Sequence, residues 1–312
     1  MKEKRKIASY KASDLRAFLG LIIPFIIGSI AGLLIIQEAF LIYLIGELLL
    51  SFFFLQTFIL LHECGHMNYF KSRSLNYFFG HFFGFLTMIP YFTWKHMHFL
   101  HHRWTGWRDK DPTTEKTVEP SESPIMRVVA NVAWITFFPI FYLAYKLSNY
   151  WNLSKIKRHV NTDKFKKSMI HVICYLIVYI TLAVLFGGVI AVYVLPAFAL
   201  SLIWKELVIL TQHSHVEIPV SEGENVKPIA NMDQVPYTRS FHVNSWVAHY
   251  FLFNFNLHEA HHAHPGLPAY WLRKVELDAP RGPKYFTWFV KAKSLKGEDY
   301  IFRTSKHTGE HF

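Results

Sequence analysis

Four apolar runs, each of about twenty residues, limit the folds that are open to this chain. A helix of that length crosses a hydrocarbon core of roughly 30 Å, and it pairs its own backbone groups where no water is present. Each run is therefore predicted to form a transmembrane helix. The runs are residues 17–36, 41–61, 169–186 and 189–210. We expect two hairpins, with one turn at residues 37–40 and another at Gly187 and Gly188, where missing side chains permit a tight reversal.

The segments between and after these runs are predicted to lie on one side of the membrane. Residues 76–94 and 125–147 are apolar but interrupted by Gly, Pro or polar residues, so we expect helices in the interface there, and another at 241–257. Residues 155–167 are predicted to be a charged linker. The predicted fold class is an all-α integral membrane protein with four transmembrane helices, interfacial helices and a histidine-rich cap, in one domain over residues 1–312.

Basic residues are distributed unevenly along the chain, which carries a net charge of +11. Six Lys and Arg residues precede residue 17, none lies within 17–61, fifteen lie within 62–168, one lies within 169–212 and eleven follow. By the positive-inside rule, the termini and the segments 62–168 and 211–312 are predicted to be cytoplasmic. Attraction to anionic lipid headgroups explains basic charge on one side of a membrane protein, so we expect membrane lipids and no nucleic acid as partners.

Three histidine clusters each follow an apolar stretch. The first is His62-Glu63-Cys64-Gly65-His66, and the other two repeat a His-x-x-His-His pattern. Histidines spaced by three or four residues share one face of a helix, so each cluster can direct its imidazoles at one point. Because one tetrahedral zinc ion needs only three or four ligands, this many imidazoles indicate two metal ions, with iron, copper, nickel and zinc as candidates. The clustered histidines are His62, His66, His98, His101, His102, His258, His261 and His262.

A further pair of histidines, in Gln212-His213-Ser214-His215, follows the fourth apolar run. We expect His213 to be the ninth ligand, with His215 as the next candidate. No catalytic residue is predicted beyond the metal ligands. Nearby carboxylates and amides are expected to accept the second ring N–H of these imidazoles. The candidates are Glu63, Asp109, Asp111, Asp233, Asn256 and Glu259.

Together these motifs resemble the histidine boxes of membrane fatty acid desaturases, and among them most the acyl-lipid Δ12/ω3 type. The resemblance includes Trp94-Lys95 ahead of the second cluster and covers residues 55–270. It implies O2-dependent insertion of a double bond into a fatty acyl chain, either lipid-linked or bound as a thioester, at a non-haem centre of two iron ions held by the clustered histidines. Two electrons must then come from a ferredoxin or cytochrome b5, because no flavin, haem or iron-sulfur motif is visible in the sequence.

Two other classes of function share parts of this pattern. His62-Glu63-x-x-His66 satisfies the signature of zinc metalloproteases, in which Glu63 would be the general base. That interpretation leaves five or six clustered histidines without a role. A carotenoid hydroxylase or ketolase, or an alkane hydroxylase, would use the same scaffold, because hydroxylation and desaturation share the first hydrogen abstraction. The form of the first two clusters and the Gln-His-Ser-His stretch favours a desaturase.

Overall fold

The computed structural model describes residues 7, 9–118, 123–277 and 282–312, and these residues form helices and no β-strand. The predicted all-α fold class is confirmed. In chain order the described helices are α1 (Asp14–Ile35), α2 (Phe40–Gly65), α3 (Arg73–Leu86), α4 (Tyr91–Trp104), α5 (Pro124–Thr136), α6 (Ile140–Lys146), α7 (Leu153–His159), α8 (Thr162–Tyr193), α9 (Leu195–His213), α10 (His258–Ala263), α11 (Ala269–Leu272), α12 (Tyr285–Ser294), α13 (Gly297–Phe302) and α14 (Ser305–Thr308).

Four of these helices, α1, α2, α8 and α9, are long and apolar enough to cross a membrane. They correspond to the four predicted runs, so the chain is a multi-pass membrane protein. The predicted first turn is confirmed, because α1 ends at Ile35 and α2 begins at Phe40. The most apolar part of α8 has no buried residue, as expected for a surface that faces lipid.

The predicted turn at Gly187 and Gly188 coincides with a kink in α8. Phe186, directly before the two glycines, has non-helical φ and ψ of −129° and 17°, and helical structure then continues through both glycines to Tyr193. Among the described residues, nothing lies within 4 Å of the place that a side chain would take at either glycine, so their small size serves no close approach. A second break lies at Val194, with φ of −127° and ψ of −43°, and α9 begins with Pro196 in its first turn, where proline is well tolerated.

The stretch at residues 125–147 is helical but bent. The helical axis bends by 114° between helix α5 and the segment Ile140–Trp151. The bend occurs where Phe137 adopts a left-handed conformation with φ of 60° and Pro139 follows. A straight crossing of the membrane by this stretch is therefore excluded, although the bent pair would be a fifth span if it crossed as a broken helix. Residues 76–94 are also largely helical, and the interfacial position of both stretches stays a prediction.

Residues 155–167, predicted to be a charged linker into the third span, are almost entirely helical in α7 and the start of α8. One prediction of local structure is wrong. Residues 241–257, predicted to be an interfacial helix, are helical only over residues 245–251, mostly as a π-helix, and are otherwise irregular. There Phe253 and Asn254 have φ values of 50° and 59°, which interrupt a right-handed helix. The side chain of Asn254 donates to the carbonyl of Ala269 at 2.9 Å, which stabilises the irregular path.

The described chain divides into two compact units. The membrane unit comprises Ala12–His96 and Lys146–Lys205, and the histidine-rich unit comprises Met1–Lys11, Met97–Tyr145 and Glu206–Phe312. Helices α4 and α9 each contribute residues to both units. The single domain predicted over the whole chain stays a prediction.

In the membrane unit, glycines allow the beginning of α4 to pack closely on α2 and α3. Tyr91 is fully buried, and its hydroxyl donates to the carbonyl of Cys64 at 3.0 Å. A Cβ atom at Gly80 would lie 2.4 Å from the Tyr91 ring, and one at Gly65 would lie 2.0 Å from the Trp94 ring. The two aromatic rings therefore occupy space that only glycine leaves open, and they hold the end of α2 in place.

A buried aromatic cluster organises the histidine-rich unit. Trp134 and Tyr300 stack with their ring centroids 5.1 Å apart, and Trp288 Nε1 donates to the Tyr300 hydroxyl at 2.9 Å. All three side chains are fully buried. The Tyr300 hydroxyl in turn donates to the carbonyl of Leu210 at 2.6 Å. The cluster thus anchors the last turn of α9, which ends at His213.

Replacement of Gly80 tests the packing in the membrane unit. We expect Gly80→Ala to lower the temperature of thermal unfolding in detergent, because the methyl group displaces Tyr91 and overpacking costs about 1–3 kcal/mol. Gly187→Ala is the matched control, since the space around Gly187 is open and alanine favours a helix over glycine by about 1 kcal/mol. Equal unfolding temperatures for Gly80→Ala and the wild type would contradict the proposed role of this contact.

Candidate metal centre

The second histidine cluster lies on the last turns of α4. His98, His101 and His102 are spaced so that they share one face of the helix, and all three are buried. The helix ends at Trp104, and Gly106 then turns the chain with φ of 103°. Glycine adopts this conformation without steric cost. The turn allows the following loop to return to the cluster.

The third cluster begins at the first residue of the short helix α10. His258, His261 and His262 are buried on this helix. The helix ends at Ala263, close to Pro265, which disfavours a helical conformation at the residue that precedes it. His213 is the last residue of α9. Three helices of the histidine-rich unit therefore present seven imidazoles.

One group of these imidazoles consists of His98, His102 and His261. One ring nitrogen of each residue lies within 4.8 Å of those of the other two. Nε2 of His102 is 3.0 Å from Nε2 of His98 and 3.1 Å from Nε2 of His261. The second and third clusters, which were predicted to lie on one side of the membrane, therefore converge in the structure.

The other group consists of His101, His213, His258 and His262, again with one nitrogen of each within 4.8 Å of the rest. Nε2 of His258 is 2.8 Å from Nε2 of His213 and 3.1 Å from Nε2 of His262. His101 completes this group, with its ring centroid 4.7 Å from that of His213. The chain therefore gathers four nitrogens from three separate helices into one small volume.

Two histidines of this second group have their outer nitrogen, Nδ1, facing an oxygen. His213 Nδ1 is 3.3 Å from the carbonyl oxygen of Tyr237. His262 Nδ1 is 3.1 Å from Oε1 of Gln234, whose amide nitrogen donates to the carbonyl of His102 at 2.7 Å. Carbonyl oxygens only accept hydrogen bonds, so both rings carry their proton on Nδ1. The lone pair of Nε2 then points at the neighbouring imidazoles.

His101 is oriented by a carboxylate. Its Nδ1 is 2.6 Å from Oδ2 of Asp111, and both side chains are buried. The second oxygen of Asp111 accepts from the N–H of Thr113 at 2.8 Å and from its hydroxyl at 2.9 Å. These contacts hold the carboxylate in place, and a held carboxylate determines which way the imidazole faces.

The arrangement fits a bound metal ion. Burial, together with the neighbouring imidazoles, lowers the pKa of His262 well below its ordinary value, so this ring is neutral, as a metal ligand must be. Two nitrogen lone pairs that face each other cannot form a hydrogen bond, whereas one metal cation can accept the lone pairs of several nitrogens. Two nitrogens that lie about 2.1 Å from one ion and at right angles are about 3.0 Å apart. The Nε2 atoms are separated by 2.8 to 3.1 Å.

The first cluster belongs to the membrane unit. His62 lies in the last turn of α2 and His66 directly follows the helix, with their ring centroids 4.8 Å apart. His62 Nδ1 is 3.0 Å from Oε1 of Glu63, and both side chains are buried. Glu63 therefore contacts the outer nitrogen of a candidate ligand, as Asp111 does in the histidine-rich unit.

His215 lies outside both imidazole groups of the histidine-rich unit. Its backbone has φ of 57°, so the helical path of α9 does not continue to this residue. Its ring stacks on Tyr300 with the centroids 5.8 Å apart, and its Nε2 is 2.7 Å from Oγ1 of Thr308. Of the two histidines in this stretch, the structure brings His213 to the other imidazoles.

The remaining predicted partners have other contacts. Asp109 accepts two hydrogen bonds from the backbone and hydroxyl of Ser221. Asn256 donates to a backbone carbonyl at 2.8 Å. Asp233 and Glu259 line a cavity of about 890 Å³ in the histidine-rich unit. None of these contacts joins the side chain to one of the grouped imidazoles.

Gln234 and Thr113 are two functional neighbours that were not among the predicted partners. Both are uncharged, and Gln234 lies in the 3-10 helix Asn231–Tyr237, 28 residues before His262, which it contacts. Neither has a fixed spacing to a histidine cluster, so no pattern in the sequence identifies them. Their contacts depend on how the loops fold back onto the helices.

Comparison with known proteins gives a consistent assignment. Residues 38–291 match the family model described as fatty acid desaturase. An sn-1 oleoyl-lipid 12-desaturase from a Picosynechococcus species is 25% identical over 245 residues, which cover 75% of this chain and 66% of that protein. An sn-1 acyl-lipid omega-3 desaturase (ferredoxin) from a Nostoc species is 24% identical over 276 residues, which cover 84% and 74%.

A third relative is a fatty acid desaturase from Bacillus subtilis, which is 31% identical over 101 residues, covering 32% of this chain and 29% of that protein. The matched part of the chain thus spans just under two thirds of the Picosynechococcus relative and less than a third of the Bacillus relative. The resemblance to acyl-lipid Δ12 and ω3 desaturases, inferred from the histidine clusters, is confirmed by these matches.

Replacement of Asp111 tests whether it orients a metal ligand. We expect Asp111→Asn to lower the affinity for added Fe²⁺ about 10- to 100-fold, because an amide can present its NH2 group to Nδ1 and favour the wrong tautomer. Competition with a coloured ferrous chelator measures this affinity. Asp109→Asn is the matched control, since Asp109 contacts Ser221. Equal losses of affinity in the two variants would contradict a specific role for Asp111.

Proposed function

This chain belongs to the fatty acid desaturase family, and from that membership we propose that it introduces a double bond into a fatty acyl chain with O2 as co-substrate. The observation that carries the proposal is the pair of converging imidazole groups in the histidine-rich unit. When bound, two iron ions would supply the redox chemistry that activates O2 and breaks an unactivated C–H bond, whereas zinc has no redox chemistry to offer.

We propose that nine histidines hold these ions. His62 and His66 would join the group of His98, His102 and His261, and the second group would hold the other ion. The chemical environment of His62 supports this role. Its Nδ1 faces an oxygen that accepts a hydrogen bond, as Nδ1 does in three histidines of the second group, which are His101, His213 and His262. A donor set made of neutral imidazoles suits iron and excludes hard, oxygen-seeking cations such as Ca²⁺. His215 has no place in this set.

The residues around the imidazoles have a defined task in this proposal. Asp111, Gln234 and the carbonyl of Tyr237 hold the proton of each ring on Nδ1 and keep Nε2 available as a ligand. Burial of the grouped histidines keeps bulk water away from the reacting positions, which protects reactive oxidising chemistry from side reactions.

The substrate and the electron donor follow from the same family. The two longer matches are named as desaturases of lipid-linked acyl chains, and one of them is named for ferredoxin. We propose an acyl lipid as the substrate, with an acyl thioester as the alternative, and a ferredoxin or cytochrome b5 as the external electron donor. The uneven distribution of Lys and Arg supports a cytoplasmic location for the termini and the metal centre.

The zinc protease interpretation is disfavoured by the position of Glu63. A general base in such a site must face the water on the metal ion. Here the Glu63 carboxylate lies 3.0 Å from Nδ1 of His62, the nitrogen opposite to Nε2 in the ring. The carboxylate is thus used to orient the imidazole. A carotenoid or alkane hydroxylase remains the second candidate, because the same ligand set would serve it.

Expression in a bacterial host of simple lipid composition tests the proposed reaction. We expect new unsaturated acyl chains in the membrane lipids of aerobic cells and none in cells without O2, measured by gas chromatography of fatty acid methyl esters. His262→Ala is the control for the host's own enzymes, because it removes a fully buried imidazole of the second group. An unchanged fatty acid profile together with hydroxylated carotenoids or alkanes would contradict the desaturase assignment and favour the second candidate.

A comparison of His213→Gln with His215→Gln tests the assignment of the ninth ligand. We expect His213→Gln to retain about one iron ion per chain when purified under mild chelation, and to lose desaturation. His215→Gln should retain two, because its ring contacts Thr308 and Tyr300 outside both groups. Elemental analysis of the purified proteins measures the ratio of iron to protein. Loss of iron from His215→Gln alone would reverse the assignment.

A further inference from the structure

The last turn of α9 must end in a defined position, because it carries His213. The final carbonyl groups of a helix have no partner within the helix, so this turn frays unless something else pairs with them. Here the pairing is complete for three successive residues. The carbonyl of Leu210 accepts from Tyr300, and those of Thr211 and Gln212 both accept from Arg239.

Arg239 makes an unusual number of contacts with this turn. Its guanidinium donates to the carbonyls of Thr211 and Ser214, both at 3.1 Å, and to that of His215 at 3.2 Å. Its backbone N–H donates to the carbonyl of Gln212 at 2.8 Å. One residue therefore pairs with four carbonyl groups on both sides of His213. A positive charge at this position also complements the negative end of the helix dipole.

The guanidinium of Arg239 is buried, and this burial costs free energy. The side chain is 9% exposed, and within the described residues of the histidine-rich unit no carboxylate lies within ion-pair distance of its guanidinium. Its charge is balanced by carbonyl dipoles, by the face of the Phe312 ring, whose centroid is 4.9 Å away, and by electrostatic interaction with Tyr300 and Glu259. Burial of a charge that has no carboxylate in direct contact costs free energy, and a neutral residue would avoid that cost.

The segment that contains Arg239 also holds the imidazole of His213. Tyr237, two residues earlier, presents its carbonyl to Nδ1 of His213 at 3.3 Å. The backbone position of His213 and the orientation of its ring are thus both determined by residues 237–239. Nε2 of His213 is then directed at Nε2 of His258, 2.8 Å away.

We propose that Arg239 is a positioning residue for the metal centre, which acts by holding His213 in the second imidazole group. This inference rests on the proposed function, because it assigns the second group to one of two iron ions. The guanidinium is required because its planar fork reaches three carbonyls at once, whereas an ammonium group is a single point charge on a flexible stem. His98, His102 and His261 are held by other elements, so the ion of the first group does not depend on Arg239.

Release of Fe²⁺ to a coloured ferrous chelator tests this proposal. The wild-type protein, loaded with two ions, is expected to release them in two slow phases. In Arg239→Lys one phase should become about 10- to 100-fold faster, while the other keeps its wild-type rate. Arg303→Lys is the matched control, because Arg303 is half-exposed and pairs with Asp299 one turn earlier. Its two phases should match those of the wild type.

A double-mutant cycle separates positioning from general loss of stability. His213→Gln is expected to retain only the ion of the first group, so if Arg239 acts through His213, adding Arg239→Lys should leave the release rate of that ion unchanged. Faster release of that ion in the double variant, or equal acceleration of both phases in Arg239→Lys, would overturn the proposal. A wild-type protein that binds no iron would instead refute the proposed function, which keeps the two failures distinct.

Discussion

The proposed metal centre depends on a simple constraint, which is that buried imidazoles must point their unprotonated nitrogens at one another. Such an arrangement is unfavourable without a cation, so contacts around the imidazoles have to impose it. Asp111, Gln234 and the carbonyl of Tyr237 do so, because each accepts a hydrogen bond from the Nδ1–H group of one ring. Because a ring with its proton on Nδ1 has its lone pair on Nε2, these three acceptors decide the direction of the ligand nitrogens.

The surrounding elements can be understood as supports for that arrangement. The aromatic cluster of Trp134, Trp288 and Tyr300 joins three helices and pairs with a carbonyl at the end of α9. Arg239 pairs with the carbonyls that follow. In the membrane unit, Tyr91 and Trp94 pack on glycines and hold the end of α2. Close-packed contacts such as those of Tyr91 and Trp94 are needed in the membrane unit, since lipid provides little hydrophobic force between helices.

Part of the architecture was predictable from the sequence because lipid imposes strict requirements on a chain. Runs of about twenty apolar residues can only be helices in that environment, and all four were located. The turns and loops were predicted less well. In place of the tight turn predicted at Gly187 and Gly188, the structure has a kink at Phe186, after which helical structure continues to Tyr193. Residues 241–257 are apolar enough for a helix, but the positive φ values of Phe253 and Asn254 interrupt it.

The sequence by itself determined which histidines of each cluster share one face of a helix, because helical spacing fixes that, and the family resemblance leads us to propose them as metal ligands. Only the tertiary structure showed that His213, and not His215, lies with the other grouped imidazoles, and only it revealed the contacts that Gln234, Thr113 and Arg239 make around them. The physical reason is that ligand spacing is a local property of one helix, which periodicity reveals. The choice of proton acceptor and of helix cap depends on loops brought back from distant parts of the chain, and no periodic signal records such contacts.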